Sequence, residues 1–251
     1  MPEDEIQERQ FIIEAFKQTV ARKNTMRIPL GPAYSSLRLD KWKAISKLFP
    51  PNTLLLDIGV HDCTFSRHLR SYVQTHRIRF VTVNVDKEAI EDAKRKKANI
   101  VVASYSFLPF KNDAFDACSL LQVFDLVSIP DVAIEEAHRI LKPHGKLVLT
   151  VHNFADFINR LRLLMGKNIV PGAERSSLIR FFTWQSLNDF LRRNEFELEE
   201  RRTWYLPFPI KRMEKYSLWR KIMKLPARLF PNQSEGLIGR WRKIDKRENK
   251  R

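Results

Sequence analysis

Short apolar runs alternate with amphipathic stretches along the middle of the chain. Runs rich in leucine, isoleucine, valine and phenylalanine predict buried strands over 53–57, 78–86, 99–103, 114–123 and 146–152. Between these runs, apolar residues recur at helical spacing and predict helices over 64–75, 87–97 and 130–141. Such regular alternation favours parallel strands joined by right-handed crossovers. The expected fold class is therefore α/β: a doubly wound, Rossmann-like and mostly parallel sheet with helices on both faces.

The pattern changes after the fifth predicted strand. Helical spacing returns over 154–164 and again over 183–194, where a threonine stands at the predicted start. Residues 196–204 alternate between apolar and charged positions, which is typical of a half-buried strand. We therefore expect antiparallel strand pairing on the C-terminal side of the sheet.

Both ends of the chain differ from this middle part. Residues 3–23 and 36–48 follow a helical period, and the stretch between them is rich in proline and glycine. These differences predict an N-terminal helical cap or lid (1–49), a core (50–210) and a basic amphipathic C-terminal segment (211–251).

The charge is concentrated in that last segment. The chain has 251 residues, with 45 Lys and Arg against 29 Asp and Glu, and a net charge of +16. Residues 211–251 hold 14 of the basic and 4 of the acidic residues, a net charge of +10. Within 213–225, aromatic and aliphatic residues recur at helical spacing among lysines and arginines. This pattern predicts an anionic partner, either a membrane surface or nucleic acid; a solvated end is the plain alternative.

Composition also bears on the cellular location of the protein and on metal binding. No apolar run approaches the ~20 residues that a membrane-spanning helix requires, and the first residues do not resemble a signal peptide. The two cysteines, Cys63 and Cys118, lie too far apart in sequence to suggest a disulfide framework or a metal site. We therefore expect a cytoplasmic protein, peripheral at a membrane surface through 211–251, with no metal centre.

The first predicted strand ends in a turn of the kind that binds ligands. Three leucines run into Asp57, Ile58 and Gly59, and a helix is predicted to follow. A dinucleotide fingerprint would place glycines at positions 61 and 64, where the chain has His61 and Thr64. The acidic residue two positions before the glycine points instead to S-adenosylmethionine. A strand–glycine–helix turn that binds nothing is the alternative.

Further segments make the pattern specific. After the turn come Leu108-Pro109-Phe110, then the run 112–117 (NDAFDA), and then 136–145 (EAHRILKPHG). In this order, they resemble the class I S-adenosylmethionine-dependent methyltransferases, in the group with an LPF segment and an LKPGG-type turn that includes quinone-ring methyltransferases. The resemblance covers roughly residues 50–153 and extends to the segment 180–183 and its helix.

The resemblance implies S-adenosylmethionine as cofactor and a set of residues around it. The residues implied are Asp57, Gly59, His61, Asp86, Ser104, Tyr105 and Gln122. Asp86 would accept from both ribose hydroxyls, although it could instead cap the helix over 87–97. Ser104 stands where the family usually has the aspartate that meets the adenine amino group.

The glycine turn departs from the family at two positions. His61 and Cys63 replace the second and third glycines. His61 either hydrogen-bonds the carboxylate of the cofactor or fills the pocket. The first case predicts an active enzyme and the second a degenerate methyltransferase fold that binds or scaffolds without turnover.

The acceptor is less well defined. The Asn/Asp-Pro-Pro-Tyr signature of amino-group methylation on nucleobases and glutamines is absent after the fourth predicted strand. Asp125, His152 and Tyr34 are candidates to line the acceptor pocket, and each is also explained as a loop, strand-end or packing residue. The expected function is methyl transfer to a small molecule, a lipid or a glycan. An RNA methyltransferase that grips phosphates through 211–251 is the less favoured alternative.

Overall fold

The structure is a computed structural model, and it describes residues 42–59, 72–85, 90–91, 99–169, 179–202 and 229–245. Three residues named above as site candidates, Tyr34, His61 and Asp86, lie outside these ranges, as does Cys63. The predicted helices over 3–23 and 213–225 also lie outside them. Predictions for those residues remain predictions.

One sheet organises the described residues. Its strands are β1 (Leu54–Ile58), β2 (Arg79–Asn84), β3 (Ile100–Val102), β4 (Phe115–Leu121), β5 (Leu141–His152), β6 (Phe196–Arg202) and β7 (Gly236–Lys243). The strand order is β3-β2-β1-β4-β5-β7-β6. The first five strands are parallel, and β7 runs antiparallel to both β5 and β6. The predicted doubly wound sheet with antiparallel pairing on its C-terminal side is confirmed.

The helices begin where the sequence provides caps. Helix α1 (Pro130–Ile140) starts with proline at its first position, which suits a residue that has no N–H to donate. Helix α2 (Phe157–Leu164) is capped by the Asp156 side chain, and α3 (Trp184–Arg193) by a capping box of Thr183 and Ser186. Shorter helical stretches occupy 42–46 and 72–75. No helix among the described residues is both long and apolar enough to cross a bilayer.

The sheet is covered on both faces, as its nearly continuous apolar strands require. On one face, Leu56 and Leu147 pack with residues of α1 and α3. On the other face, Leu55 and Val148 pack with Ile45 and with other residues of 42–49. Neighbouring residues on one strand thus serve opposite cores, because side chains alternate across a strand.

Strand β5 begins earlier than the sequence predicted. It starts at Leu141 rather than at residue 146, and its register against β4 shifts near this start. His144 has φ +60, and a Cβ on Gly145 would lie 2.8 Å from the carbonyl oxygen of Lys142. The LKPGG-type turn over 141–145 is therefore an irregular start of the strand, where glycine is needed for close backbone approach.

Strand β7 corrects the predicted division of the chain. Residues 236–243 were assigned to a separate basic segment, but they form the strand between β5 and β6. Their charges misled the prediction: Arg240 and Arg242 pair with glutamates of β6, while Trp241 is fully buried between them. The C-terminal segment therefore contributes a strand to the sheet of the core. The other predicted domain boundaries stay predictions.

Candidate functional site

The carboxyl ends of the five parallel strands meet at one edge of the sheet. The chain passes outward from β1 through β2 to β3, and then returns to place β4 on the other side of β1. Ligands of doubly wound sheets bind at this switch point, because the loops leaving β1 and β4 diverge there. Asp57 and Gly59 lie at the end of β1, and Gln122 follows β4.

Asp57 joins the two central strands. Its carboxyl is buried, and its Oδ1 accepts a hydrogen bond of 2.6 Å from the Ser119 hydroxyl on β4. Burial raises the pKa of Asp57 to about 6, and the hydrogen bond from Ser119 opposes that rise. A positive charge near this buried carboxyl would stabilise its ionised form and lower its pKa again.

Gly59 follows β1 beside this carboxyl. The Gly59 N–H donates to the carbonyl oxygen of Val83 on β2 at 3.2 Å, which fixes the start of the turn. A Cβ at Gly59 would lie 3.5 Å from the second carboxyl oxygen of Asp57, in van der Waals contact. Glycine therefore keeps a side chain from covering that oxygen.

Gln122 has a backbone conformation that is uncommon for a residue with a side chain. Its φ is +57, and its N–H donates to both the hydroxyl and the carbonyl oxygen of Thr150 on β5, at 2.8 and 3.0 Å. Such conformations are costly and tend to occur at ligand-binding edges. Thr150 holds the turn after β4 in this shape.

Ser104 and Tyr105 open the loop after β3. The Ser104 hydroxyl oxygen accepts from the Ser106 N–H at 3.3 Å and lies 3.0 Å from the Ser106 hydroxyl. The Tyr105 side chain is fully buried in the core, and this burial raises its pKa. The Tyr105 side chain is therefore a packing group, and any contact of this residue with a cofactor would come from its main chain.

Two residues of α1 hold the rest of this loop. The Glu136 carboxylate accepts from the Leu108 N–H at 2.8 Å. The Arg139 guanidinium donates to the carbonyl oxygens of Leu108 and Phe110, at 2.9 and 2.8 Å, and pairs with Glu136. These contacts explain why the Leu-Pro-Phe segment and the Glu136–Arg139 segment occur together in the sequence.

Asp125 and His152, both predicted to line the acceptor pocket, form a pair. Asp125 lies in a short 3-10 helix after β4, and one of its carboxyl oxygens is 2.5 Å from Nδ1 of His152 at the end of β5. The same oxygen accepts from the His152 N–H at 3.1 Å. The Asp125 side chain is only 1% exposed, and that of His152 is 14% exposed. The Asp125 carboxyl is thus almost fully buried against the imidazole, whereas His152 is partly exposed, and the prediction that both residues line the acceptor pocket stays a prediction.

This arrangement selects one form of the imidazole. With Nδ1–H donating to the Asp125 carboxylate, the neutral ring keeps its lone pair on Nε2. A carboxylate in this position also stabilises the imidazolium that forms when Nε2 takes a proton. The pair can therefore act as a base, with Asp125 orienting the ring.

The segment before α3 closes the loop around Asp125. The N–H groups of Ile179 and Arg180 donate to the Asp125 carbonyl oxygen at 3.0 and 3.1 Å, and the Arg180 guanidinium donates to that of Ser128 at 2.7 Å. The Phe182 ring stacks on Phe124, with centroids 5.4 Å apart. The segment 180–183, to which the family resemblance extends, thus packs against the loop that carries Asp125, a candidate for the acceptor pocket.

Four residues that hold these strands or the loop after β3 were not predicted from the sequence: Ser119, Thr150, Glu136 and Arg139. Ser119 and Thr150 lie inside strands, where a single hydroxyl gives no local signal. Glu136 and Arg139 belong to a segment that was recognised, but its spacing carries no information about the loop that it holds. The family resemblance of the segment 136–145 was the only signal in the sequence that could have pointed to Glu136 and Arg139.

The described residues suit a ligand with a cationic end. Asp57 accepts from one hydroxyl, and no described lysine or arginine pairs with it. The ammonium group of S-adenosylmethionine, directly or through a backbone amide, would complement this carboxyl. Within the described ranges, no cluster of three or more His, Cys, Asp or Glu residues could hold a metal ion.

Comparisons with known proteins identify a related domain. Residues 56–149 match the family model of the methyltransferase domain. The ubiquinone/menaquinone biosynthesis C-methyltransferase UbiE of Rickettsia typhi is 27% identical over 123 residues, which cover 44% of this chain and 49% of that protein. The chain thus spans about half the length of this curated relative.

Solved structures share the fold. A SAM-dependent methyltransferase of Thermotoga maritima superimposes with a TM-score of 0.59 at 21% identity, covering 82% of this chain and 88% of the other. One from Methanosarcina mazei gives a TM-score of 0.55 at 19% identity, covering 86% and 99%. At these identities the likeness concerns the fold.

Proposed function

We propose that residues 56–149, which match the methyltransferase domain model, form a class I S-adenosylmethionine-dependent methyltransferase domain. On this premise, the protein transfers a methyl group to a small-molecule, lipid or glycan acceptor. The family match supports S-adenosylmethionine as the cofactor. Asp57 and Gly59 at the switch point would hold its amino-acid end, with His61 as a further ligand, and Asp86 its ribose. The loop at Ser104 would face its adenine.

The observation that carries the proposal is the pair of Asp125 and His152. Methyl transfer from a sulfonium is an in-line displacement, and a base is required only when the acceptor is a poor nucleophile. A buried carboxylate that orients an imidazole is the arrangement suited to that task. We therefore favour an acceptor that must lose a proton, such as a hydroxyl group or an acidic ring carbon.

The roles of the two residues follow from this assignment. When bound, S-adenosylmethionine supplies a methyl group on a sulfonium whose sulfur leaves as a neutral thioether. Nε2 of His152 would take the proton from the acceptor as its oxygen or carbon bonds the methyl carbon. The Asp125 carboxylate would stabilise the resulting imidazolium without taking the proton itself.

Replacement of the base tests the catalytic part of the proposal. His152→Gln should lower the rate of methyl transfer by about 10²–10⁴, the usual range for a general base, while the affinity for S-adenosylmethionine stays unchanged. The assay would follow a radiolabelled methyl group from S-adenosylmethionine into the lipid, glycan and small-molecule fractions of a cell extract. Asp125→Asn should show a similar loss and a shifted pH profile.

The matched control for this experiment is His144→Asn. His144 is an exposed histidine at the opposite end of β5, and asparagine tolerates its positive φ. This variant should transfer methyl groups at the wild-type rate. A His152→Gln variant with undiminished activity would remove the proposed base.

Calorimetric titration with S-adenosylmethionine and its demethylated product tests the cofactor site. Asp86→Ala should weaken binding at least about tenfold, because two hydrogen bonds to a charged group are lost. Unchanged affinity in that variant would contradict the ribose assignment. His61→Gly distinguishes the two roles of His61: weaker or equal binding fits a ligand, whereas a gain in affinity fits a plug.

A degenerate fold without turnover is the second candidate, and the departure at His61 and Cys63 favours it. In that case the wild-type chain would fail to bind S-adenosylmethionine in the same titration. We further propose that the basic residues of 211–251 that lie outside β7 hold the protein near an anionic membrane surface. Tight, salt-sensitive RNA binding in place of vesicle binding would favour the RNA methyltransferase instead.

A further inference from the structure

Helix α2 ends in an exposed apolar group of residues. The side chains of Leu163, Leu164 and Met165 are 53%, 85% and 51% exposed, and Leu161 one turn earlier is 37% exposed. Single exposed leucines are common on protein surfaces, but contiguous groups usually mark an interaction site. We refer to residues 161–167 as the α2 tip.

The start of this helix is held firmly to the body of the protein. The buried Asp156 carboxylate accepts from the Asn159 N–H at 2.8 Å. The buried Asn159 side chain donates to the Phe154 carbonyl oxygen at 3.0 Å. These bonds fix the direction in which α2 leaves the sheet.

The end of the helix is equally well defined. The N–H groups of Met165, Gly166 and Lys167 donate to carbonyl oxygens of the last helical turn, at 2.8–3.1 Å. Gly166 has φ +66, the left-handed conformation that commonly ends a helix. The exposed side chains of the α2 tip are therefore presented by a structured helix end.

The charged residues of α2 and the end that follows it are all positive. Residues 157–169 contain Arg160, Arg162 and Lys167 and no acidic residue. Each of the two arginines donates its Nε–H to a nearby backbone carbonyl oxygen. Among the described residues, none of the three cations pairs with a carboxylate. Within the described part of the chain, these cations are therefore available to an outside anion.

We propose that the α2 tip docks on an anionic lipid surface, with Leu163, Leu164 and Met165 entering the headgroup and acyl boundary. Apolar residues that penetrate the interface and flanking cations that meet anionic headgroups are the two components of such binding. A leucine that is 85% exposed projects from the surface, which suits insertion into lipid better than the filling of a protein groove. Since α2 starts five residues after His152, docking would bring the membrane close to the proposed base.

Co-sedimentation with vesicles tests the proposal on the full chain. The wild type should bind mixed phosphatidylcholine and phosphatidylserine vesicles more tightly than pure phosphatidylcholine ones. The double variant Leu164→Ser and Met165→Ser should weaken binding to the mixed vesicles by at least about tenfold, because one fully buried leucine side chain corresponds to about that factor. Lys167→Gln should weaken it about fivefold at low salt, with little effect on pure phosphatidylcholine.

The control variant is Val102→Ser, which removes an exposed apolar side chain from β3 at the opposite edge of the sheet. It should bind the mixed vesicles like the wild type. Equal vesicle binding by the wild type and the α2 tip variant would overturn the proposal, and would leave any membrane attachment to 211–251. Failure of the wild type to bind either kind of vesicle would also overturn it and would point to a protein partner for this surface.

The outcome is independent of the methyltransferase assignment. The α2 tip variant should keep the wild-type affinity for S-adenosylmethionine and the wild-type melting temperature, because the substituted side chains are exposed. A vesicle-binding defect with normal cofactor affinity supports the docking surface alone. A loss of cofactor affinity in the same variant would show that the change had disturbed the fold, and the single variant Leu164→Ser would then decide.

Discussion

The edge where β1 and β4 end buries polar groups, whereas the antiparallel end of the sheet, formed by β5, β7 and β6, buries aromatic rings and exposes its charges. At the first edge, Asp57 is desolvated and accepts one hydrogen bond from Ser119. At the antiparallel end, Trp241 is fully buried and Glu199 pairs with cations at the surface. A buried carboxyl costs stability, while the antiparallel end contributes stability; such a cost is typical of a functional site.

The packing at the antiparallel end is tight. The Trp241 ring lies over Gly239 of the same strand so closely that any Cβ at Gly239 would overlap it. The Trp241 indole N–H donates to the Asn188 side chain of α3 at 3.2 Å, and the Trp184 ring lies 6.3 Å away. Strand β7 is thus fixed to α3 through one large side chain.

Removal of that ring should have the largest effect. Trp241→Ala should lower the free energy of unfolding by about 3–5 kcal/mol, the usual cost of truncating a buried aromatic side chain. Gly239→Ala should cost about 1–3 kcal/mol through overpacking. Chemical denaturation measures both. The affinity for S-adenosylmethionine should change little in either variant. If it fell in proportion to stability in both, the antiparallel end and the edge at β1 and β4 would not have the separate roles described above.

Asp57→Asn should act in the opposite direction. The folded-state pKa of Asp57 is about 6, above the ordinary value of 3.8, so the folded protein binds the proton more tightly than the unfolded chain. The stability associated with this proton is present below pH 4 and is lost as the pH rises to 6. Asparagine carries no charge, so the variant should exceed the wild type by up to about 3 kcal/mol at pH 7.

Unfolding curves of wild type and Asp57→Asn between pH 4 and 7.5 measure this difference. The gap should widen across the interval in favour of the variant, while its affinity for S-adenosylmethionine falls. Ser119→Ala serves as the control, since it removes the hydrogen bond but keeps the carboxyl. A gap that does not change with pH would show that Asp57 is not the titrating group.

Arg139→Gln should have an intermediate effect. The guanidinium holds two carbonyl oxygens of the loop at Leu108 and Phe110, and glutamine cannot reach both. Loss of these charge-assisted bonds should lower the free energy of unfolding by about 2 kcal/mol. Because the loop carries Ser104, cofactor affinity should fall as well. A variant that loses stability with unchanged affinity would separate the loop from the proposed adenine site.

The smallest effect is expected at the surface of the antiparallel end. Partial burial tends to raise the pKa of Glu199, but the hydrogen bond and charge of Lys146 and the neighbouring Arg240 outweigh it and lower the pKa. The stability that Glu199 contributes through these cations is therefore present above the ordinary pKa of a glutamate. It is lost as the pH falls through the lowered pKa of Glu199. Glu199→Gln should cost about 0.5–1 kcal/mol at pH 7, and less in high salt.

The matched control is Glu197→Gln, because Glu197 pairs with Arg242 but is 57% exposed. Its cost should be smaller than that of Glu199→Gln. Equal costs for the two variants at both salt concentrations would contradict the role given to the partly buried ion pair.

Local signals in the sequence determined much of the fold. The five parallel strands and the helices α1, α2 and α3 lie within a few residues of their predicted positions, except at the start of β5. Hydrophobic period, proline at a helix start and a capping threonine all act within a few residues, so they can be recognised without knowing the fold. The family resemblance likewise depended on short segments in order.

Only the tertiary structure decided which distant residues meet. Asp57 and Ser119 are 62 residues apart, and Asp125 and His152 are 27 apart. The insertion of β7 between β5 and β6 was equally hidden, because its arginines read as a solvated charge run until their partners on β6 were known. Strand pairing and buried polar contacts are formed between residues far apart along the chain, and no local pattern encodes such a partner.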